Sequence, residues 1–167
     1  MNITKINKVY TDGSCSCNGS LSAKAGIGIY FGPNDSRNIS KPISINYFNN
    51  INKLTNNVAE LYAIKETLQY LIALTNIDSI WEIITDSEYV IKCATTYGEK
   101  LYNKQWKSKK EIPNLELVKE VYELYNNHKI HKFITLKHIY AHTSNTDIDS
   151  IGNREADKLA TSSYLDN

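Results

Sequence analysis

Two short apolar stretches of the sequence end on an aspartate, an arrangement that suits metal chemistry. VYTD ends at Asp12 and WEIITD ends at Asp86, and a small residue follows each of them. The ends of strands in α/β sheets open onto the crevice where ligands bind. A carboxylate held at such an end is a suitable ligand for a hard cation such as Mg²⁺. Two local alternatives stay open, because Asp12 could form a turn with Gly13 and Asp86 could simply lead into a helix.

Two further acids lie near the ends of predicted helices. Glu60 falls in the first turn of one predicted helix, and Asp157 falls one turn into the last. Four carboxylates at element ends could converge on one point and bind a cation together. Glu60 could instead cap its helix, because Asn57-Val-Ala-Glu60 fits a capping pattern. Asp157 could instead be a surface acid that pairs with Arg154, on the same side of the helix.

The elements that would position these acids follow from hydrophobic periodicity. Alternating or short apolar runs predict strands, and apolar residues at helical spacing predict helices. The predicted strands are 6–12, 25–32, 42–48, 81–86 and 132–142. The predicted helices are 57–74, 87–95 with Ser87 as cap, 114–127, and a last helix capped by Asn153. The order βββαβα, a further helix and then βα indicates an α/β (or α+β) fold with a mixed sheet covered by helices.

Length and composition are those of an ordinary globular protein. With 167 residues, 41% apolar, and a net charge of +1, the chain is expected to form a single domain over residues 1–167. It has no apolar run of membrane-spanning length and no apolar signal core near the N-terminus, so we expect no membrane association and no secretion signal. Three cysteines give no disulfide framework and favour a reducing, intracellular compartment. Cys15 and Cys17 have no partner pair spaced for structural zinc, so we expect buried or partly buried thiols.

Four stretches of the sequence resemble the motifs of the type 1 ribonuclease H family, in the order in which that family carries them. They are YTDGSC (10–15), TNNVAEL (55–61), ITDSEYV (84–90) and AHTSNTDIDSIGNREADKLA (141–160), the last in a longer-loop version. The resemblance extends over nearly the whole chain and places an acid at each expected position. It implies a five-stranded mixed sheet flanked by helices. The metal-binding catalytic carboxylates that it implies are Asp12, Glu60, Asp86 and Asp157.

The resemblance also implies an activity. The expected enzyme is an endoribonuclease that hydrolyses the RNA strand of RNA–DNA hybrids and leaves 5′-phosphate and 3′-hydroxyl ends, without strong sequence specificity. Two Mg²⁺ ions would activate a water and stabilise the leaving oxygen, and Mn²⁺ would substitute for them. His142 would be the histidine of a mobile loop that assists proton transfer or product release. The alternative for His142 is a simple surface histidine.

Several uncharged or basic residues are expected to hold the hybrid. The resemblance implies minor-groove contacts to the 2′-hydroxyl groups from Ser14, the Cys15 backbone, Asn18, Asn56 and Asn57. It implies a phosphate pocket from Lys53, Thr55 and Asn114. A basic protrusion around residues 98–113 would contribute Trp106 among its lysines. The alternatives are turn or cap residues for the asparagines, and a solvated charge run around a buried tryptophan for the protrusion.

The expected partner is an RNA–DNA hybrid, bound by a monomer without a fused polymerase or hybrid-binding domain. Two competing hypotheses remain from the sequence. A nuclease or recombinase of the wider superfamily that acts on DNA should lack the asparagines beside the first helix. A non-catalytic hybrid-binding module would be indicated by the loss of an acid, whereas all four acids are present. Because a fold alone does not decide function, the site must discriminate between these hypotheses.

Overall fold

The apolar runs of the sequence form one mixed sheet in a computed structural model, which describes residues 6–74, 79–126, 132–141 and 144–165. The strands are β1 (Ile6–Ser16), β2 (Lys24–Tyr30), β3 (Ile39–Ile43), β4 (Ile80–Thr85) and β5 (Ile134–His138). Their order in the sheet is β3-β2-β1-β4-β5. The pairs β1–β2 and β2–β3 are antiparallel, whereas β1–β4 and β4–β5 are parallel. The predicted five-stranded mixed sheet is confirmed.

Five α-helices accompany the sheet within these ranges. They are α1 (Asn56–Ala73), α2 (Glu88–Ala94), α3 (Thr96–Asn103), α4 (Leu115–Tyr125) and α5 (Ile148–Leu165). Ser87 caps α2 as predicted, because its hydroxyl accepts the Val90 N–H at 3.3 Å. None of the helices in the described ranges has the length and apolar character needed to cross a membrane.

Helices α1 and α5 cover opposite faces of the central strand, β1. Side chains alternate between the two faces of a strand, and Gly13 lies on the face that α1 covers. A Cβ atom at Gly13 would lie 2.2 Å from the backbone of Ala59, so only glycine permits this close approach. On the other face, a Cβ atom at Gly28 would lie 1.9 Å from the Ala156 carbonyl oxygen of α5. These contacts place both helices close to the part of β1 that carries Asp12.

Several predicted element boundaries were wrong. The strand predicted at 6–12 continues to Ser16 through its pairing with β2, so Asp12 lies within β1, and the strand predicted at 132–142 is Ile134–His138. The strand predicted at 42–48 ends at Ile43, and residues Ile45–Tyr47 form a 3-10 helix whose cap is the Ser44 hydroxyl. Helix α5 begins at Ile148, so Asn153 lies inside it and does not cap it. Asp147 takes that role, because its carboxylate accepts the Ser150 N–H at 3.0 Å. An aspartate in the preceding loop thus extends the helix by about a turn toward its N-terminus.

Helix α3 was not predicted, because it lies in the segment interpreted as a basic protrusion. Its buried residues are only Gly98 and Leu101. Gly98 is packed against Tyr122 of α4, since a Cβ atom there would lie 2.5 Å from the tyrosine ring. The helix therefore depends on contacts with α4, which a local pattern does not reveal.

Candidate metal centre

The parallel pairing of β1 with β4 brings Asp12, within β1, beside Asp86, which directly follows β4. Tyr10 of β1 is paired with Ile84 of β4, so both aspartates lie two residues beyond the same pair. Glu60 reaches them from α1, which packs against Gly13. One carboxylate oxygen from each of the three acids lies within 4.8 Å of the others. The structure therefore brings together three of the four acids that the sequence singled out.

Asp12 is the most buried member of this group, with 8% of its surface exposed. Its Oδ1 atom accepts the Gly13 N–H at 2.8 Å. Burial raises the pKa of Asp12 well above its ordinary value, and the negative charges of Asp86 and Asp157 raise it further. A cation at this point would relieve both the repulsion and the lack of solvation.

Glu60 is held by a side chain from a different element. The Ser87 hydroxyl donates a hydrogen bond to Glu60 Oε2, while it also accepts the Val90 N–H that caps α2. Burial raises the pKa of Glu60, although the Ser87 hydrogen bond acts in the opposite direction. The alternative that Glu60 caps α1 is wrong, because the Thr55 hydroxyl is the cap and accepts the Val58 N–H at 3.2 Å. Glu60 lies beyond the first turn of the helix.

Asp86 makes two contacts that the sequence did not predict. Its Oδ2 atom accepts a hydrogen bond from Asn153 Nδ2 at 2.9 Å. Its main-chain carbonyl oxygen lies 3.1 Å from His138 Nε2. The sequence had suggested only a capping role for Asn153 and had singled out no functional role for His138. One signal in the sequence could have indicated that Asn153 lies near the acids. Asn153 and Asp157 are four residues apart and so share a face of α5.

Two candidates remain outside the three-residue cluster. Asp157 is half-buried on α5 and lies close enough to raise the pKa of Asp12, but its oxygens are not part of that cluster. His142 lies outside the described residues.

The donor chemistry of the cluster fits a hard divalent cation. All of its ligands are carboxylate oxygens, which Mg²⁺ prefers, and the like charges need an opposite charge. Among the described residues it is also the one set of three or more acidic, histidine or cysteine side chains with such spacing. Cys15 is half-buried, whereas Cys17 is exposed, which corrects the expectation of a buried or partly buried thiol at 17.

The residues expected at the minor groove lie on β1, in the β1–β2 loop and in the first turn of α1. Asn18 Oδ1 accepts the Asn56 N–H at 2.9 Å, which joins the β1–β2 loop to the start of α1. The Ser14 hydroxyl is hydrogen-bonded to the Tyr164 hydroxyl at 2.7 Å. Asn57 is exposed and is not the cap of α1, so the capping alternative for it is wrong.

The segment after α3 and residues 47–51 together line a cavity. The cavity has a volume of about 530 Å³, and Trp106 and Asn114 are among its lining residues. The ring of Trp106 packs against Tyr102 and Tyr122, with centroids at 6.3 and 5.8 Å. Lys53 and Thr55 are not among the residues that line this cavity. The alternative for this segment was a solvated run of charge around a buried tryptophan. Its lysines are exposed, as that alternative requires, but Trp106 is only half-buried.

Comparison with known proteins identifies relatives along almost the whole chain. The model of the family described as RNase H matches residues 4–164. The ribonuclease H of Ehrlichia chaffeensis is 33% identical over 165 residues, which cover 96% of this chain and 97% of the relative. The ribonuclease H of Schizosaccharomyces pombe is 34% identical over 154 residues, which cover 91% of this chain and 50% of the relative. The chain thus spans about half the length of several curated relatives that it matches.

Solved structures share the fold. The solution structure of the prototype foamy virus RNase H domain is 25% identical with a TM-score of 0.70, and the match covers 95% of this chain and 93% of that one. A type 1 RNase H with the type 2 active-site motif, LC9-RNase H1, is 21% identical with a TM-score of 0.70, and the match covers 96% and 72%. The strand order and the covering helices described above are therefore those of a known fold.

Proposed function

Because the chain belongs to the ribonuclease H family, we propose that it hydrolyses the RNA strand of RNA–DNA hybrids as a metal-dependent endoribonuclease. Its products would carry 5′-phosphate and 3′-hydroxyl ends, and its cleavage would show no strong sequence preference. The observation that carries this proposal is the cluster of carboxylate oxygens from Asp12, Glu60 and Asp86, which lie within 4.8 Å of one another.

These three acids, with Asp157, would hold two Mg²⁺ ions, which Mn²⁺ could replace. When bound, the ions supply a nucleophilic water and positive charge for the leaving oxygen. The protein supplies a rigid set of ligands, because Ser87 fixes Glu60 and Asn153 fixes Asp86. Such preorganised groups need no rearrangement as the reaction proceeds. His142 would assist proton transfer or product release.

The same end of the sheet would bind the RNA strand. Short polar side chains suit the wide minor groove of a hybrid, where the 2′-hydroxyl distinguishes RNA from DNA. Asn18, Asn56 and Asn57 would make these contacts, with Ser14 and the Cys15 backbone. The hydrogen bond between Asn18 and the backbone of Asn56 supports a shared surface, since it joins the β1–β2 loop to the start of α1.

The DNA strand would be held farther from the acids. Lys53, Thr55 and Asn114 would receive phosphate groups, and Trp106 would offer an aromatic surface near exposed lysines. We expect Trp106→Leu to raise KM for the hybrid about tenfold with little change in kcat. Equal losses in both parameters would instead place Trp106 at the chemical step.

A cleavage assay on three labelled duplexes tests the proposed function. Wild type is compared with Asp86→Asn on an RNA–DNA hybrid, an RNA duplex and a DNA duplex, in Mg²⁺ and in EDTA. We expect cutting of the hybrid alone, and its loss in the variant and in EDTA. A matched control is Glu88→Gln, an exposed acid close to Asp86 that pairs with Lys92 at 3.0 Å.

Two other outcomes would replace the proposal. Cutting of the DNA duplex would indicate a DNA nuclease of the wider superfamily. Tight hybrid binding without cutting would indicate a binding module in which the acids have no catalytic role.

A further inference from the structure

His138 contacts the backbone of Asp86 from the end of β5. Its Nε2 atom lies 3.1 Å from the Asp86 carbonyl oxygen. A carbonyl oxygen only accepts hydrogen bonds, so Nε2 must carry the proton. The imidazole packs edge-on against the ring of Tyr140, with centroids 5.3 Å apart. Pairing between Thr85 and His138 brings strands β4 and β5 together at this point.

Asn153 contacts the carboxylate of the same aspartate from α5. Since a carboxylate only accepts, the amide must direct Nδ2 toward Asp86 Oδ2, which lies at 2.9 Å. Only 4% of the Asn153 surface is exposed. Its Oδ1 atom is buried and has no hydrogen-bond partner among the described residues. An unpaired buried acceptor is unfavourable, so stability alone would favour an apolar residue here.

The helix that carries Asn153 is anchored one turn earlier. The carboxylate of Asp149 accepts hydrogen bonds from Lys8 at 2.7 Å, Tyr10 at 2.9 Å and Lys137 at 2.8 Å. Residues four apart lie on the same face of a helix. The contacts of Asp149 with β1 and β5 therefore fix the position from which Asn153 reaches Asp86.

Asp86 needs such support because its neighbours carry the same charge. The carboxylates of Asp12 and Glu60 lie close to it, and their repulsion favours rotation of the Asp86 side chain away from them. We propose that His138 and Asn153 are positioning residues, which hold the backbone and the carboxylate of Asp86 in the arrangement that a divalent cation requires. This inference rests on the metal site of the proposed function. It predicts that their loss weakens cation binding and leaves hybrid binding intact.

Direct Mn²⁺ titration of the protein without nucleic acid tests this inference. The variants are Asn153→Leu, which keeps the volume but removes the donor, and His138→Phe, which keeps the ring but removes the donor. We expect each to raise the dissociation constant for Mn²⁺ about tenfold, because residues that orient metal ligands have effects of this size. His138→Gln should restore binding, since its amide can place a donor near the position of Nε2. Thr135→Val, at an exposed position of β5, is the matched control and should bind Mn²⁺ as wild type does.

Two further measurements separate positioning from a structural role. The melting temperature of Asn153→Leu in EDTA should not fall, because the substitution also removes an unpaired acceptor. The dissociation constant for the hybrid in EDTA should stay within about twofold of wild type, since His138 and Asn153 would act through the acid and not on the substrate. A lower melting temperature with unchanged Mn²⁺ affinity would mean a structural role and would overturn the inference.

The outcomes are distinguishable from those for the proposed function. If wild type binds Mn²⁺ but does not cut the hybrid, the proposed activity fails while the variants still decide this inference. If wild type does not bind Mn²⁺, or if the variants bind it equally well, the inference is wrong. Should Asn153→Leu fail to fold, the comparison of His138→Phe with His138→Gln decides.

Discussion

One face of β1 carries two acidic environments that differ in almost every respect. Lys8 and Tyr10 turn toward Asp149 of α5, and Asp12, the next residue on that face, turns toward Asp86. Asp149 receives three hydrogen bonds, two of them from lysines. Asp12 has a backbone N–H at one oxygen and other carboxylates around it. Here the anchor means Asp149 with Lys8, Tyr10 and Lys137, and the acidic centre means Asp12, Glu60 and Asp86.

The pKa values of the two aspartates diverge accordingly. Burial alone would raise the pKa of Asp149, but hydrogen bonds from Lys137, Lys8 and Tyr10 lower it to about 2. Burial and neighbouring negative charges raise the pKa of Asp12. The anchor is thus satisfied within the protein, and the acidic centre requires a positive charge from outside. A single strand, β1, thus contributes both to the anchor and to the acidic centre.

Among the substitutions that test the difference between the anchor and the acidic centre, Asp86→Asn should have the largest effect, which is a loss of activity. The substitution removes a ligand charge from the acidic centre, and we expect kcat/KM on the hybrid to fall by at least about 10³-fold. Single-turnover cleavage at saturating Mg²⁺ measures it. A fall of less than about tenfold would mean that Asp86 does not take part in catalysis.

The next effect is a loss of stability in Asp149→Asn. The amide cannot form ion pairs, and the donors of Lys8, Tyr10 and Lys137 lose a charged acceptor. Because the lysines are partly exposed, we expect a loss of only about 2 kcal/mol in the free energy of unfolding. Urea denaturation in EDTA measures this free energy. An unchanged midpoint would show that the anchor contributes nothing, and that α5 is held by its packing alone.

The pH dependence of stability should reveal the anchor separately. A depressed carboxyl pKa contributes stability that is present above the unfolded value of 3.8 and is lost as the pH falls toward the folded value of about 2. The advantage of wild type over Asp149→Asn should therefore shrink between about pH 4 and pH 2, by at most about 2 kcal/mol. Urea midpoints of both proteins across this range test it. A difference that stays constant with pH would contradict the assigned pKa.

The acidic centre was easier to predict from sequence than the anchor. Asp12 and Asp86 each follow a short apolar run, and that local pattern is visible in a short window, although β1 continues past Asp12 to Ser16. Asp149 and Lys8 are separated by 141 residues along the sequence, and Asn153 and Asp86 by 67. No local sequence pattern can therefore predict these contacts.

Two of the boundary errors have a similar physical cause. Ile45 and Tyr47 alternate with polar residues as in a strand, but the Ser44 hydroxyl accepts the Asn46 N–H and starts a 3-10 turn. Asn153 looks like a cap because asparagine favours that position, yet its amide is taken by Asp86. In both places a polar side chain forms a hydrogen bond that the residue type alone does not predict.

The smallest expected effect is a gain in stability in Asp12→Asn. A carboxyl group whose pKa is raised in the folded protein destabilises that protein when it ionises, so its charge is unfavourable at neutral pH without a cation. The asparagine oxygen can still accept the Gly13 N–H. We therefore expect a gain of about 1 kcal/mol in the free energy of unfolding in EDTA, a usual size where function costs stability.

Mg²⁺ should reverse the order of stability of wild type and Asp12→Asn. A cation that binds only the folded protein raises its stability with concentration, so wild type should gain more than Asp12→Asn as Mg²⁺ is added. Asp147→Asn provides a control of opposite sign, because its carboxylate accepts hydrogen bonds from Ser150 and its pKa is lowered. That variant should be less stable than wild type with or without Mg²⁺. If Asp12→Asn were also less stable in EDTA, Asp12 would be a satisfied acid like Asp149, and β1 would not carry two kinds of acidic environment.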